Sequence, residues 1–197
     1  MTTDHSFRGA APDLREEAAL MLMRSSFVAE LDLHEARIVV DAMRPLFVET
    51  GTVIMKEGQS EDVDYMALLL EGQVRAESAS NMPGEEVVIS IIGPGQLMGE
   101  MGILDGEPRS ATCTALTDLK LAILSRAALR GLVEVQPAVA SRLLLAIAQS
   151  MADRVRESNR RFRTLSRVTR ALQRELDATH AVNRRLLDGQ DGAAARR

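Results

Sequence analysis

The spacing of apolar positions changes twice along the chain and divides it into three zones. As far as about Arg44 the spacing is helical. Asp13, with Glu16 three residues on, reads as the cap of a helix carrying Ala18-Ala19-Leu20-Met21-Leu22-Met23, with Met21 and Met23 as ordinary core. Asp32 and Glu35 repeat that signal ahead of a second helix, which places Ala36, Val39, Val40 and Met43 on one face; Pro45 is expected to end it. From about residue 45 to 125 the pattern turns to short apolar runs punctuated by glycine. Phe47-Val48, Thr52–Met55, Tyr65–Leu70, Val74–Ala76, Glu86–Ile92, Thr112–Ala115 and Leu119–Leu124 read as strands. Asn81-Met82-Pro83-Gly84 reads as a turn between two of them. Short strands with turn signals at intervals of about 8–12 residues predict an antiparallel barrel or sandwich.

The third zone is helical again. Ser125 caps a short predicted helix over 126–134, and Pro137 suits the first turn of another. From Ala138 to Asp188 there is neither proline nor glycine, which predicts one long helix, or two with a soft joint near 159–163. Leu165, Val168, Leu172, Leu176, Thr179, Val182 and Leu186 form a roughly heptad stripe along it, the mark of a coiled-coil seam. Ala193–Arg197 reads as a frayed end. The expected class is therefore α+β, mainly β: N-terminal helices over 1–44, a barrel with its hinge helices over 45–160, and an Arg-rich helical tail over 161–197.

Charge sharpens this division. Residues 154–187 hold ten arginines against three acidic residues, a balance of +7, and the last ten residues balance to zero. With a net charge of −4 for the whole chain, residues 1–153 carry −11. The basic tail can serve as a solvated coiled-coil surface, dock on a protein partner or on the acidic body, or bind nucleic acid; DNA is disfavoured by the missing aromatics and recognition motif. Aromatic residues make up only 3% of the chain, so the core is aliphatic. A single cysteine, Cys113, excludes an intrachain disulfide framework and suits a small buried side chain on a strand. His5, His34 and His180 are isolated, so no metal site is expected. No apolar run approaches the roughly 20 residues that span a bilayer, and the N-terminus lacks a signal-peptide pattern. A cytoplasmic protein without a membrane partner is expected. No nucleophile–base arrangement is readable, so the reading is of a protein that is not an enzyme and carries no cofactor.

One segment carries chemistry: Met98-Gly99-Glu100-Met101-Gly102-Ile103-Leu104-Asp105-Gly106-Glu107-Pro108-Arg109-Ser110-Ala111-Thr112. Glycines at 99 and 102 let backbone approach a ligand closely. A short turn of helix there points free N–H groups at an anion. Arg109 supplies a cation with a planar fork, and Ser110 a hydroxyl beside it. Glu100, an acceptor when ionised, suits a sugar hydroxyl rather than a phosphate. Outside such a setting, an Arg and a Glu in a loop most often only pair with each other.

These residues resemble the phosphate-binding cassette of the cyclic nucleotide-binding domain family, and the resemblance extends over about residues 26–160. It takes in Phe27 and Leu31, Gly51 and Ile54, Glu57-Gly58, Leu68-Leu69-Leu70-Glu71-Gly72, and Gly95 ahead of the cassette. It implies that Gly99 and Glu100 contact the ribose 2′-hydroxyl and that Met101 and Gly102 belong to the same ligand-binding segment. It further implies that Arg109 pairs with the exocyclic phosphate oxygens, with Ser110 and Ala111 adding contacts beside it, and that Ile103 couples occupancy to helix movement. The interval from Glu100 to Arg109 is similar to that of protein kinase regulatory subunits. The Arg109-Ser110 step is shared with the bacterial catabolite activators, whose loop is slightly longer. Two departures matter. The residues after the long helix are too few for a DNA-reading helix-turn-helix, so a stand-alone receptor is expected. Where the catabolite activators reach the adenine with a hydroxyl pair, this chain has Arg154 and Val155; Arg154 or Arg156 stacking on the base is the remaining candidate. The ligand expected is cAMP, with cGMP and a cyclic dinucleotide left open. The expected partners are a second copy through the long helix and an unidentified regulated protein. The rival readings are a nucleic-acid-binding regulator acting through the tail and a scaffold with a silent barrel.

Overall fold

The structure is a computed structural model describing residues 12–24, 31–79 and 86–194. The turn expected at 81–84, Phe27 and the last three residues of the tail lie outside them. The elements run α1 (Pro12–Arg24), α2 (Leu33–Asp41), β1 (Arg44–Val48), β2 (Val53–Met55), β3 (Tyr65–Glu71), β4 (Val74–Ala79), β5 (Glu86–Ile92), β6 (Leu97–Met98), α3 (Glu100–Asp105), β7 (Thr112–Ala115), β8 (Leu119–Ser125), α4 (Arg126–Val135) and α5 (Pro137–Ala194). Two compact units emerge, residues 1–150 and 151–197.

In the first unit the strands form two four-stranded antiparallel sheets, in the orders β1-β8-β3-β6 and β2-β7-β4-β5. That pairing is a jelly roll. Period-two alternation sends Ala67 and Leu69 of β3, Val74 and Ala76 of β4, Cys113 and Ala115 of β7, and Leu119, Leu121 and Ile123 of β8 into one core between the sheets. Each such Leu or Ile contributes about 1.5–3 kcal/mol by leaving water. The opposite face of β3 and β8 is equally dry: Met66, Leu68, Leu70, Ala122 and Leu124 are buried there. Helix α1 packs on β3 and α4 on β8.

The helices begin and end for local reasons. Asp32 and Glu35 close the expected capping box on α2, whose Ala36, Val39 and Val40 are buried. Two sequence expectations needed correction here. Helix α1 begins at Pro12, so Asp13 falls inside the first turn rather than capping it. Pro45 does not end α2, which stops at Asp41; it sits in β1, an edge strand, where a missing N–H costs no ladder bond. Met21 and Met23 are half-buried, and the buried face of α1 is Ala18, Ala19 and Leu22. Two arginine–carboxylate forks, Arg15 on Asp41 and Arg37 on Glu16, tie α1 to α2.

Ser125 caps α4 as expected, its hydroxyl accepting from Ala128 N at 3.1 Å. Helix α5 runs without a break at 159–163. Its opening turns bury Val139, Ala140, Leu143, Ala146, Ile147 and Ser150. In the second unit the helix is exposed on its apolar face as well as its polar one: Val155, Phe162, Leu165, Val168, Leu172 and Leu176 are 49–70% accessible. No helix among the described residues is long and apolar enough to cross a membrane.

A glycine-bounded cassette over a buried arginine

The cassette is the α3 segment between β6 and β7. Its six-residue helix is bounded by two left-handed glycines, Gly99 at φ +75° and Gly106 at φ +78°. Gly99 has a second reason to be glycine. A Cβ there would lie 2.5 Å from Arg109 Nη1 and 2.7 Å from Met55 Cε. Gly102 is nearly as confined, with Arg109 Nη1 at 3.2 Å and Val63 O at 3.1 Å from a notional Cβ.

Arg109 is only 5% exposed. Its guanidinium turns inward under α3. Nη1 donates to Gly99 O at 3.1 Å, and Nη2 donates to Asp62 O and Tyr65 O, both at 3.1 Å. The carbon of the fork lies 4.5 Å from the centroid of the Tyr65 ring, a cation–π contact. The backbone of Arg109 is pinned too: its N–H donates to Gln59 O at 2.9 Å, and its carbonyl accepts from Gly58 N at 2.8 Å. The cation is thus preorganised by three carbonyls, one ring and two backbone bonds. Burial pushes the Tyr65 phenol up from its ordinary value, and the Arg109 charge partly offsets that. The phenol donates to Ile54 O at 3.1 Å.

The remaining sequence candidates fall on this frame as follows. Glu100 is buried at the first position of α3. Ile103 is buried, while Met101 points outward with its sulfur 3.7 Å from Ser110 Oγ. Ser110 is exposed and Ala111 half-buried. Residues 99–103 and 109–111 therefore converge on one place. Arg154 and Arg156 belong to the second unit, where Arg156 pairs with Asp153 at 2.7 Å. Cys113 is a buried core residue, and no group of three metal-ligating side chains occurs among the described residues.

The sequence reading missed three contributors. Met55 and Tyr65, on β2 and β3, shape the floor beneath Gly99 and Arg109; both look like generic strand residues in sequence. Arg126, the first residue of α4, reaches into the cassette and donates from Nη2 to Gly102 O at 2.5 Å. Only its place directly after a cap residue could have drawn attention to it.

A jelly roll whose β6–β7 connection is a glycine-bounded turn of helix closed over a buried arginine matches a known design. Residues 45–136 match the model of the Cyclic nucleotide-binding domain. Residues 45–136 of this chain form a cyclic nucleotide-binding domain. The chain is similar to a cAMP-dependent protein kinase regulatory subunit of Yarrowia lipolytica, with 32% identity over 99 residues, covering 50% of this chain and 25% of that protein. A Cyclic AMP receptor protein of Thermus thermophilus is 35% identical over 116 residues, 59% of this chain and 50% of that one. Among solved structures, a cyclic nucleotide-binding domain from Methylobacillus flagellatus superposes with a TM-score of 0.67 at 29% identity, covering 76% of this chain and 82% of that one. The chain spans a quarter to a half of the length of the curated relatives it matches first. This cyclic nucleotide-binding domain also shares its fold with the catabolite activator protein of Thermus thermophilus, with a TM-score of 0.61 at 28% identity, covering 74% of this chain and 63% of that one.

Proposed function

We propose that this protein is a receptor for a cyclic mononucleotide, cAMP first, that acts by moving helices rather than by catalysis. The observation that carries the reading is Arg109: a buried guanidinium, fixed by carbonyls, directly beneath the glycine-bounded turn that a cyclic phosphate would approach. Gly99 and Glu100 would take the ribose 2′-hydroxyl, Arg109 the exocyclic oxygens, and Met101, Gly102, Ser110 and Ala111 the rest of the contact. Arg154 or Arg156 is the proposed base contact. The relatives named above as cAMP-dependent and cyclic AMP receptor proteins favour cAMP over cGMP or a cyclic dinucleotide.

Occupancy would draw the cassette toward Arg109, and Ile103 would pass the shift to α4 and α5. The ligand moves that equilibrium only by its differential affinity for the two arrangements. The regulated partner is a protein reading the changed helix surface. A second copy joins through the exposed seam of α5. The protein works in the cytoplasm on this reading.

The test is calorimetric titration with cAMP, then cGMP and cyclic di-GMP, using Arg109→Leu as control. Binding of cAMP, weakened about 10- to 100-fold in the variant by loss of charge-assisted bonds, supports the proposal. No heat with any of the three, or equal affinity in the variant, overturns it.

A second reading has its own observation. Arg156, Arg160, Arg163, Arg167, Arg170 and Arg174 fall at spacings of three and four on one exposed face of α5, opposite the apolar seam. Such a stripe fits a polyanion. Nucleic-acid binding that falls steeply with salt would favour it, because each phosphate contact releases counterions.

A further inference from the structure

Two arginines from different elements grip the same two pieces of backbone. Arg109 holds the start of α3 at Gly99 O, and the segment leading into β3 with the strand's first residue at Asp62 O and Tyr65 O. Arg126 holds α3 at Gly102 O through its side chain, at 2.5 Å, and holds the segment before β3 at Asp64 O through its own N–H, at 2.6 Å. Its guanidinium also turns the edge carrying Nη1 and Nη2 toward the end of α3, at 3.2 and 3.3 Å from a notional Cβ on Gly106. Gly102 O receives two donors, Gly106 N from the cassette's own end at 3.0 Å and Arg126 from the first residue of α4. Any displacement of α3 relative to residues 62–65 is therefore felt at both ends of Arg126.

From these contacts we infer that Arg126 is the positioning residue that transmits the state of the cassette to α4. It acts through Gly102, Gly106 and the start of its own helix. Ile103 of α3 is buried as well, but packing slides where a directional hydrogen bond does not.

The inference rests on the cyclic nucleotide reading for its ligand, and its test separates the two. Amide hydrogen exchange across residues 127–135 is measured in the full chain with and without cAMP, for the wild type, Arg126→Ala and Arg126→Lys. Arg126→Ala should bind cAMP while its ligand-induced change in α4 exchange shrinks by roughly threefold or more, the scale of coupling between neighbouring groups. Arg126→Lys, which keeps a donor for Gly102 O, should recover most of the change. A merely structural role would raise exchange in both ligand states and leave their difference intact; that result overturns the inference. If the wild type binds no cAMP, the ligand reading fails, and a second arm still decides the joint. Arg109→Leu loosens the cassette without ligand. It should raise α4 exchange in the wild-type background and add nothing in the Arg126→Ala background; equal increments in both would overturn the coupling.

Discussion

The guanidinium of Arg109 lies 4.5 Å from the centroid of the Tyr65 ring, and the same guanidinium donates to the Tyr65 carbonyl at 3.1 Å. The chain has one tyrosine and no tryptophan. The cassette's cation therefore sits on the only phenol, and ultraviolet absorbance of phenolate reads that one contact.

Burial holds the Tyr65 phenol above its ordinary value of 10.0, and Arg109 works against that rise. Native-state titration should place the midpoint above 10, and Arg109→Leu should move it higher still. The neutral phenol's contribution is fully present below 10 and is lost as pH rises through the higher native value. A native midpoint at or below 10, or a fall in the Arg109→Leu protein, contradicts the packing of ring and fork.

Gly99→Ala and Gly72→Ala separate site from scaffold. At Gly99 a methyl meets the ends of two side chains, Arg109 and Met55, and lies 3.1 Å from Tyr65 O. At Gly72, φ +97°, it meets Asp118 O at 2.4 Å and the side chains of Leu119 and Thr117. Both place alanine in a left-handed conformation, but backbone comes as close as 2.4 Å only at Gly72, against 3.1 Å at Gly99. Urea unfolding should show a loss of about 2–4 kcal/mol for Gly72→Ala and a smaller one for Gly99→Ala. Cyclic nucleotide binding should fall in Gly99→Ala and persist in whatever fraction of Gly72→Ala remains folded.

Acid should weaken the fold through two carboxylates held below the ordinary 4.5. Glu57 is held down by the Ala79 N–H and then by the Ser78 hydroxyl, and Glu16 by the Arg37 fork. Their stabilisation is fully present above 4.5 and is lost as pH falls through their lower native values. Thermal melts from pH 6 downward should show Tm dropping below about pH 4.5, with a shallower drop in Glu57→Gln. An unchanged slope in that variant would remove Glu57 from the account.

The exposed seam of α5 carries the proposed dimer. Leu165→Asp combined with Leu172→Asp places charge on two residues that are 65% and 60% exposed in the single chain. Sedimentation should show a dimer for the wild type and a monomer for the double variant, at unchanged barrel stability. A wild-type monomer at all concentrations would assign the seam to another helix.

Much of this architecture is legible in the sequence alone. The limits of β5 and β7 coincide with the apolar runs at 86–92 and 112–115 because both runs are bounded by turn residues. The capping signals of Asp32 and Ser125 were legible because a cap is a local interaction. Strand β6 escaped notice: two residues, Leu97-Met98, cannot display a period, and only their partners Ala67 and Leu68 make them a strand. Pro45 misled because its effect depends on whether its strand lies at a sheet edge, which is a tertiary fact. In the cassette, the glycines, Glu100 and Arg109 stood out by type and spacing. The three carbonyls that aim Arg109 did not, since a carbonyl has no residue signature, and Arg126 looked like any polar residue opening a helix.

Asp62 is the one non-glycine position with positive φ, +52°, among the described residues, and the group it offers to Arg109 is its carbonyl. What Arg109 receives from this residue is therefore main-chain shape, delivered through a carbonyl. Across the evolutionary history of the sequence, position 62 should drift freely among aspartate, asparagine and glycine, which tolerate that conformation, and resist valine or isoleucine. A site can keep its form while its letter changes, and here an acidic residue next to a buried cation would be misjudged as its counter-ion.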